Sequence, residues 1–159
     1  MHEGERLIER LDESRDAMRR ALSSVNREQE IYPGWTIREI LVHIAGWDEV
    51  GASTVQAHTV GERPAPIEIH DIDEYNAHLI TNHEALTFEE VIRYWRRARR
   101  ELVEALEEMP VEKFLERAHF PWGDTGSIVR LVSILEEHER EHAAEILERL
   151  SGEDGDEME

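Results

Sequence analysis

The chain has 159 residues, and its 37 acidic and 18 basic side chains give a formal net charge of -19. A chain this acidic repels phosphate groups, which argues against binding to nucleic acids and to anionic membrane surfaces. It contains no cysteine, which excludes disulfides, thiolate metal ligands and a thiol nucleophile supplied by the protein.

Two long helices are predicted in the first sixty residues. Apolar side chains at helical spacing predict an amphipathic helix over roughly residues 3–30, marked by Leu7, Leu11, Met18 and Leu22. The segment Tyr32-Pro-Gly-Trp35 ends this helix. Thr36 and Glu39 have the spacing of a capping box, so we expect the second helix to begin there and to continue to about His58.

The middle of the chain predicts a crossover that contains a short extra helix. Residues 59–70 hold a glycine and two prolines and are expected to form a loop, after which Asp71 opens a short helix. A second capping box, Thr87 with Glu90, begins a third long helix that runs to about Met109.

Residues 111–124 are expected to connect the third long helix to the fourth. The fourth helix is predicted from Thr125 or Ser127 to Leu150, and the acidic residues 151–159 are predicted to form a disordered tail. We therefore expect one domain over residues 1–150.

The predicted fold is all-α, a four-helix bundle. A long connection between helices two and three lets them run parallel, which gives an up-down-down-up order. The N-terminus lacks the basic and apolar regions of a signal peptide, and no apolar run approaches membrane-spanning length. A cytoplasmic protein with no membrane contact is expected.

Three histidines are the strongest functional signal. His138 and His142 are four residues apart, so they lie on one face of the last helix, at positions where its apolar stripe calls for leucine. His43 lies about 10 Å from the start of helix two, and His142 about 12 Å from the end of helix four. If these two helices are antiparallel and their ends are aligned, the three histidine rings lie at the same height along the bundle.

Level imidazoles favour a metal site with positions left open for water or substrate. Imidazole suits zinc, nickel, copper and iron(II), so the spacing does not choose the ion. The alternative is a set of hydrogen-bonded core histidines. The segment from His138 to His142 also matches the H-E-x-x-H signature of zinc proteases. We regard that match as coincidental, because few residues follow His142 and Glu139 lies off the apolar stripe.

At these residues the chain resembles the DinB-like, or YfiT-like, superfamily of metal-binding four-helix bundles. The resemblance is carried by Trp35-Thr-Ile-Arg-Glu-Ile-Leu-Val-His43-Ile-Ala-Gly-Trp47 and by His138-Glu-Arg-Glu-His142. Asp73-Glu-Tyr-Asn76 and Phe120-Pro-Trp-Gly123 look most like the ClbS/DfsB-type branch. The resemblance implies a divalent metal held by three histidines and, in several members, a low-molecular-weight thiol such as bacillithiol or mycothiol. Other members are implicated in destroying reactive metabolites.

Two hypotheses about function follow. The first is a metal-dependent enzyme that acts on a small electrophilic or toxic metabolite by thiol transfer or hydrolysis, with zinc, nickel or iron as the ion. The second is a binding or sequestration protein without turnover. Trp47, Tyr75 and Asn76 are candidate pocket residues, and a homodimer is expected.

One basic cluster on the third long helix has two interpretations. It can hold an anionic substrate or cosubstrate, or it can pair with neighbouring acids on a solvated face, which we favour. Its members are Arg96, Arg97, Arg99 and Arg100.

Overall fold

The computed structural model describes residues 2–67 and 72–157, with side chains as far as residue 150. Four long helices form its body, together with a short helix, one 3-10 turn and a two-stranded hairpin. In chain order these are α1 (Glu3–Ser23), α2 (Ile37–Thr59), α3 (Ile72–Asn82), α4 (Phe88–Glu108), a 3-10 turn (Val111–Phe114), β1 (Ala118–His119), β2 (Thr125–Gly126) and α5 (Ile128–Glu157). The all-α prediction is confirmed.

Helix directions follow from which residues meet along each pair. Arg38, near the start of α2, donates to the backbone carbonyl of Leu86 just before α4, and the later residues Asp48 and Arg99 form an ion pair. Helices α2 and α4 therefore run parallel. His43 meets His138, whereas Gly51 lies against Leu135, so α2 and α5 are antiparallel.

The apolar core shows the direction of α1 relative to α5. One core cluster joins the start of α1 to the start of α5, with Leu7, Leu11, Ile128 and Leu131. A second joins later residues of the same two helices, with Met18, Ala21, Ala143 and Ile146. Helices α1 and α5 are therefore parallel, and the up-down-down-up order is confirmed. The close fit of α2 to α5 depends on Gly51, where an added Cβ would lie 2.6 Å from Leu135 Cδ1.

The first connection differs from the sequence prediction. Helix α1 ends at Ser23, before the predicted end near residue 30. A tight turn follows later, in which Tyr32 and Trp35 exchange backbone hydrogen bonds and Gly34 has φ 81°. This turn directs both aromatic rings towards the three histidines, as the ring contacts described below show.

One of the two predicted capping boxes is wrong. The Thr87 hydroxyl accepts from the Glu90 backbone N–H, and the Glu90 carboxylate accepts from the Thr87 N–H, as expected. The Thr36 hydroxyl instead donates to the Glu39 carboxylate at 3.1 Å and caps no backbone group. Helix α2 still begins directly after Thr36, because its apolar face is buried along most of its length.

The chain between α4 and α5 contains structure that the periodicity did not predict. After the 3-10 turn, β1 pairs with β2 in an antiparallel hairpin whose turn carries Trp122. Helix α5 continues past the predicted end at Leu150 to Glu157. The side chains from residue 151 onward and all of residues 158 and 159 lie outside the described part, so the disordered tail stays a prediction.

The predicted crossover helix is present as α3. Its expected first residue, Asp71, lies outside the described residues, and the helix is described from Ile72. Leu79 packs directly onto Gly46 of α2, where an added Cβ would lie 2.6 Å from it. This contact holds α3 against α2, where Tyr75 packs on Trp47. Within the described ranges, no helix has both the length and the apolar character needed to cross a membrane.

Candidate metal centre

The three predicted histidines meet at one point between α2 and α5. His43 Nε2 lies 3.0 Å from His138 Nε2, and His142 Nε2 lies 2.9 Å from the same atom. One ring nitrogen of each histidine lies within 4.8 Å of the others. The structure thus brings together His43 and His138, which are 95 residues apart in sequence, and the three side chains can hold a metal ion.

The rings are buried enough to be neutral at physiological pH. Burial, followed by repulsion from His138 and His142, lowers the pKa of His43 to about 3. Burial and repulsion from His138 lower the pKa of His142 to about 4, and burial chiefly lowers that of His138. Neutral imidazole is the form that binds a metal ion.

The hydrogen bonds around His142 present its Nε2 lone pair to this cluster. The Tyr32 hydroxyl donates to the Glu145 carboxylate and lies 2.8 Å from His142 Nδ1. Since its single hydrogen goes to Glu145, the hydroxyl accepts the Nδ1–H of His142, which leaves Nε2 unprotonated. Burial, reinforced by Glu145, raises the pKa of Tyr32, so the phenol keeps its proton.

His43 is held differently. Its ring packs against Trp35, with ring centroids 5.2 Å apart, and its Nδ1 is buried without a well-formed hydrogen bond to any described residue. The nearby Asn76 amide opposes the lowering of the His43 pKa, although its Oδ1 already accepts from Trp47 Nε1 at 2.9 Å. With no hydrogen on His142 Nε2, the Nε2 of His138 cannot complete hydrogen bonds to both of its neighbours at 2.9 and 3.0 Å, so a bound cation fits the three ring nitrogens better than a closed hydrogen-bond network.

A cavity of about 900 Å³ opens directly onto the three histidines. Its wall is mostly aromatic and aliphatic, and consists of Tyr32, Pro33, Trp35, His43, Trp47, Val50, Ile72, Asn76, Trp122, Leu131, Ile134, Leu135, His138, His142 and Glu145. Of the three candidate pocket residues, Trp47 and Asn76 line it. Tyr75 lies behind Trp47, with ring centroids 4.9 Å apart.

The expectation that Glu139, the glutamate of the protease-like signature, lies off the buried face of α5 is wrong, because its side chain faces the bundle interior. It is fully buried, and its carboxylate accepts from Arg15 Nε at 3.1 Å, from Trp95 Nε1 at 3.0 Å and from Arg99 Nη2 at 3.0 Å. Burial alone would raise its pKa, but the two arginines outweigh burial and hold the pKa below its usual value. A carboxylate committed to three donors cannot serve as the general base of a metalloprotease.

Glu139 belongs to a buried network of four charges that sequence reasoning missed. Asp48 is the second carboxylate, and it pairs with Arg99 at 3.1 Å and with Arg15 at 3.4 Å. The four side chains come from all four long helices. The expectation of a solvated face is wrong for Arg99, which is 6% exposed.

The rest of the basic cluster lies on a solvated face, as the favoured interpretation predicts. The other three arginines are exposed and lie away from the cavity wall, namely Arg96, Arg97 and Arg100. Arg97 pairs with Glu101 at 3.9 Å. The signal that distinguishes Arg99 is its spacing of four from Trp95, which puts it on the buried face of α4.

The comparisons with known proteins agree with this fold. The family model of the DinB superfamily matches residues 10–146, so the chain belongs to that superfamily. No curated protein matches the chain by sequence. The crystal structure of a mycothiol-dependent maleylpyruvate isomerase is similar, with a TM-score of 0.74 and 16% identity over 90% of this chain and 60% of that one.

Two further solved structures are similar. A histidine-to-alanine mutant of the isomerase has a TM-score of 0.70, with the same identity and coverage. An uncharacterised protein from Escherichia coli UTI89 has a TM-score of 0.76 and 10% identity, covering 95% of this chain and 94% of that one. The chain thus spans 60% of the isomerase and nearly the whole of the Escherichia coli protein.

Proposed function

We propose that this member of the DinB superfamily is a metal-dependent enzyme that acts on a small electrophilic molecule, with a thiol or water as the nucleophile. The observation that carries the proposal is the convergence of three neutral imidazoles on the wall of a cavity of about 900 Å³. A cavity of this volume suits a small molecule.

The residues have distinct parts in this proposal. His43, His138 and His142, which line the cavity, would hold the ion. When bound, such an ion polarises an electrophile or lowers the pKa of a coordinated water or thiol. Tyr32 and Glu145 fix the tautomer of His142, and the mostly apolar wall would surround a bound substrate. Since the chain has no cysteine, any thiol must be a cosubstrate.

A thiol cosubstrate is supported by fold likeness and family membership alone. The similar isomerase depends on mycothiol, but at 16% identity the similarity concerns the fold. Zinc, nickel and iron(II) all suit three imidazole ligands. The ClbS/DfsB-type branch, a cytoplasmic location and a homodimer remain proposals, and light scattering of the purified protein tests the last.

Elemental analysis of protein purified without an affinity tag tests the proposal. We expect about one equivalent of a transition metal in the wild type and its loss in the His138→Ala/His142→Ala variant. His119→Ala, at an exposed histidine of β1, is the matched control and should keep the metal. Equal metal content in the double variant and the wild type would overturn the assignment.

A second candidate is a binding protein that sequesters a small molecule without turnover. The large apolar wall of the cavity favours it, because ligand burial there does not require an ion. The two functions differ after chelation. A sequestration protein keeps its ligand affinity and returns the ligand unchanged, whereas the enzyme loses turnover.

A further inference from the structure

The cavity wall carries almost no charge that could hold an anion. Among the described residues that line it, Glu145 is the only charged side chain, and no lysine or arginine is present. The residues whose side chains are not described, namely 1, 68–71 and 151–159, include no lysine or arginine in the sequence. A buried anion without a paired cation is strongly disfavoured, and the net charge of -19 adds a long-range repulsion.

Exposed apolar side chains surround the opening of the cavity. Trp122, at the hairpin turn, is 40% exposed, and Ile134 on α5 is 46% exposed. Edge-to-face packing holds Trp122 against Trp47 at 6.2 Å, and Phe120 supports it from the hairpin at 5.1 Å. Large apolar side chains left exposed around a cavity mark a binding surface. Fixed indole rings offer flat faces for stacking.

We propose that the cavity selects an apolar molecule with flat rings and with no negative charge on the part that lies away from the histidines. This inference deepens the proposed function, on which it rests for the identity of the site. Trp47 and Trp122 would stack on the rings, and Asn76 would be the neutral polar contact. A molecule with several carboxylates or phosphates would leave at least one of them unpaired.

Because the proposed ion would be positively charged, the exclusion of anions applies only to the part of the cavity away from the histidines. A divalent cation on the three histidines can pair with one anionic donor atom, such as a thiolate, placed beside it. Glu145 is linked to His142 through Tyr32 and would counter part of that positive charge. Asn76 lies beside His43, and farther from the histidines the described wall is apolar apart from indole N–H groups, so selection against anions applies there.

Two fluorescent probes with the same ring system provide the test. N-phenyl-1-naphthylamine is neutral, and 8-anilino-1-naphthalenesulfonate is the same skeleton with a sulfonate. Titration of the full-length protein after chelation, which removes the one cation that a sulfonate could pair with, should give tighter binding of the neutral probe. Trp122→Ala should weaken the neutral probe about tenfold, whereas Leu115→Ala, at an exposed leucine outside the cavity, should have no effect.

A charge substitution separates charge selection from general hydrophobic binding. Ile134→Lys places a cation at the cavity opening and should raise the affinity for the sulfonate probe about tenfold at low salt. Leu115→Lys makes the same change in net charge away from the cavity and should leave both affinities unchanged. Equal or tighter binding of the sulfonate probe to the chelated wild type, or identical behaviour of the two lysine variants, would overturn the inference.

The outcomes distinguish this inference from the proposed function. Selective probe binding by a protein that holds no metal would overturn the proposed enzyme and leave the cavity inference standing. A full equivalent of metal together with indifferent probe binding would do the reverse.

Discussion

Neutralising Glu139 should destabilise the fold more than any surface change of the same kind. The side chain is 0% exposed and accepts from Arg15, Trp95 and Arg99. In Glu139→Gln, Asp48 alone would face two buried guanidinium groups, so one positive charge would lack a partner. Breaking a buried pair in this way costs about 3–5 kcal/mol. That is a large part of the ~5–15 kcal/mol that holds a typical domain folded.

Urea unfolding of the chelated protein, followed by circular dichroism, measures this loss without a contribution from metal binding. Glu141→Gln is the matched control, because Glu141 is an exposed glutamate two residues along the same helix. Its free energy of unfolding should change by at most about 0.5 kcal/mol. A loss below about 1 kcal/mol in Glu139→Gln would show that the buried charges do not stabilise the bundle as argued.

The network also predicts a non-additive double variant. Arg99→Met combined with Glu139→Leu removes one charge of each sign and leaves Arg15 paired with Asp48 at 3.4 Å. The combined loss should therefore be smaller than the sum of the two single losses. Additive losses in the urea experiment would contradict direct coupling of these side chains.

Three further results are expected. Tyr32→Phe removes the hydroxyl that holds His142 Nδ1 and should weaken metal affinity about tenfold or more. Competition with a chelator measures the affinity, and the circular dichroism spectrum should stay unchanged. Unchanged affinity would contradict the tautomer assignment. The metal-free protein should lose stability as the pH falls from about 6.5 towards 4. In the unfolded chain the histidines take up protons near pH 6.5. In the folded protein they do so only at lower pH, because burial lowers the pKa of His43 to about 3 and that of His142 to about 4. This loss should shrink in His43→Gln/His142→Gln, and an equal loss in both proteins would refute it. Added metal should raise the thermal midpoint of the wild type but not of His43→Ala, and an equal rise in both would place the binding elsewhere.

The helices and the histidine cluster were predictable because both depend on local spacing. Apolar periodicity and a four-residue separation fix which side chains share a helix face, whatever the rest of the chain does. The long connection between helices two and three was enough to predict the parallel pair. That order placed His43 level with His138 and His142, and the structure confirms that the three come together.

Only the tertiary structure decided which polar side chains are buried and what they contact. Glu139 and Arg99 stand in runs of charged residues, and local sequence does not show that α1 and α2 supply Arg15 and Asp48 as partners. Tyr32 lies 110 residues from His142 and belongs to a segment that the sequence marks only as a break. The physical reason is one of range: helical periodicity is a property of neighbouring residues, whereas the burial of a charge is favourable only where distant helices bring complementary groups to it.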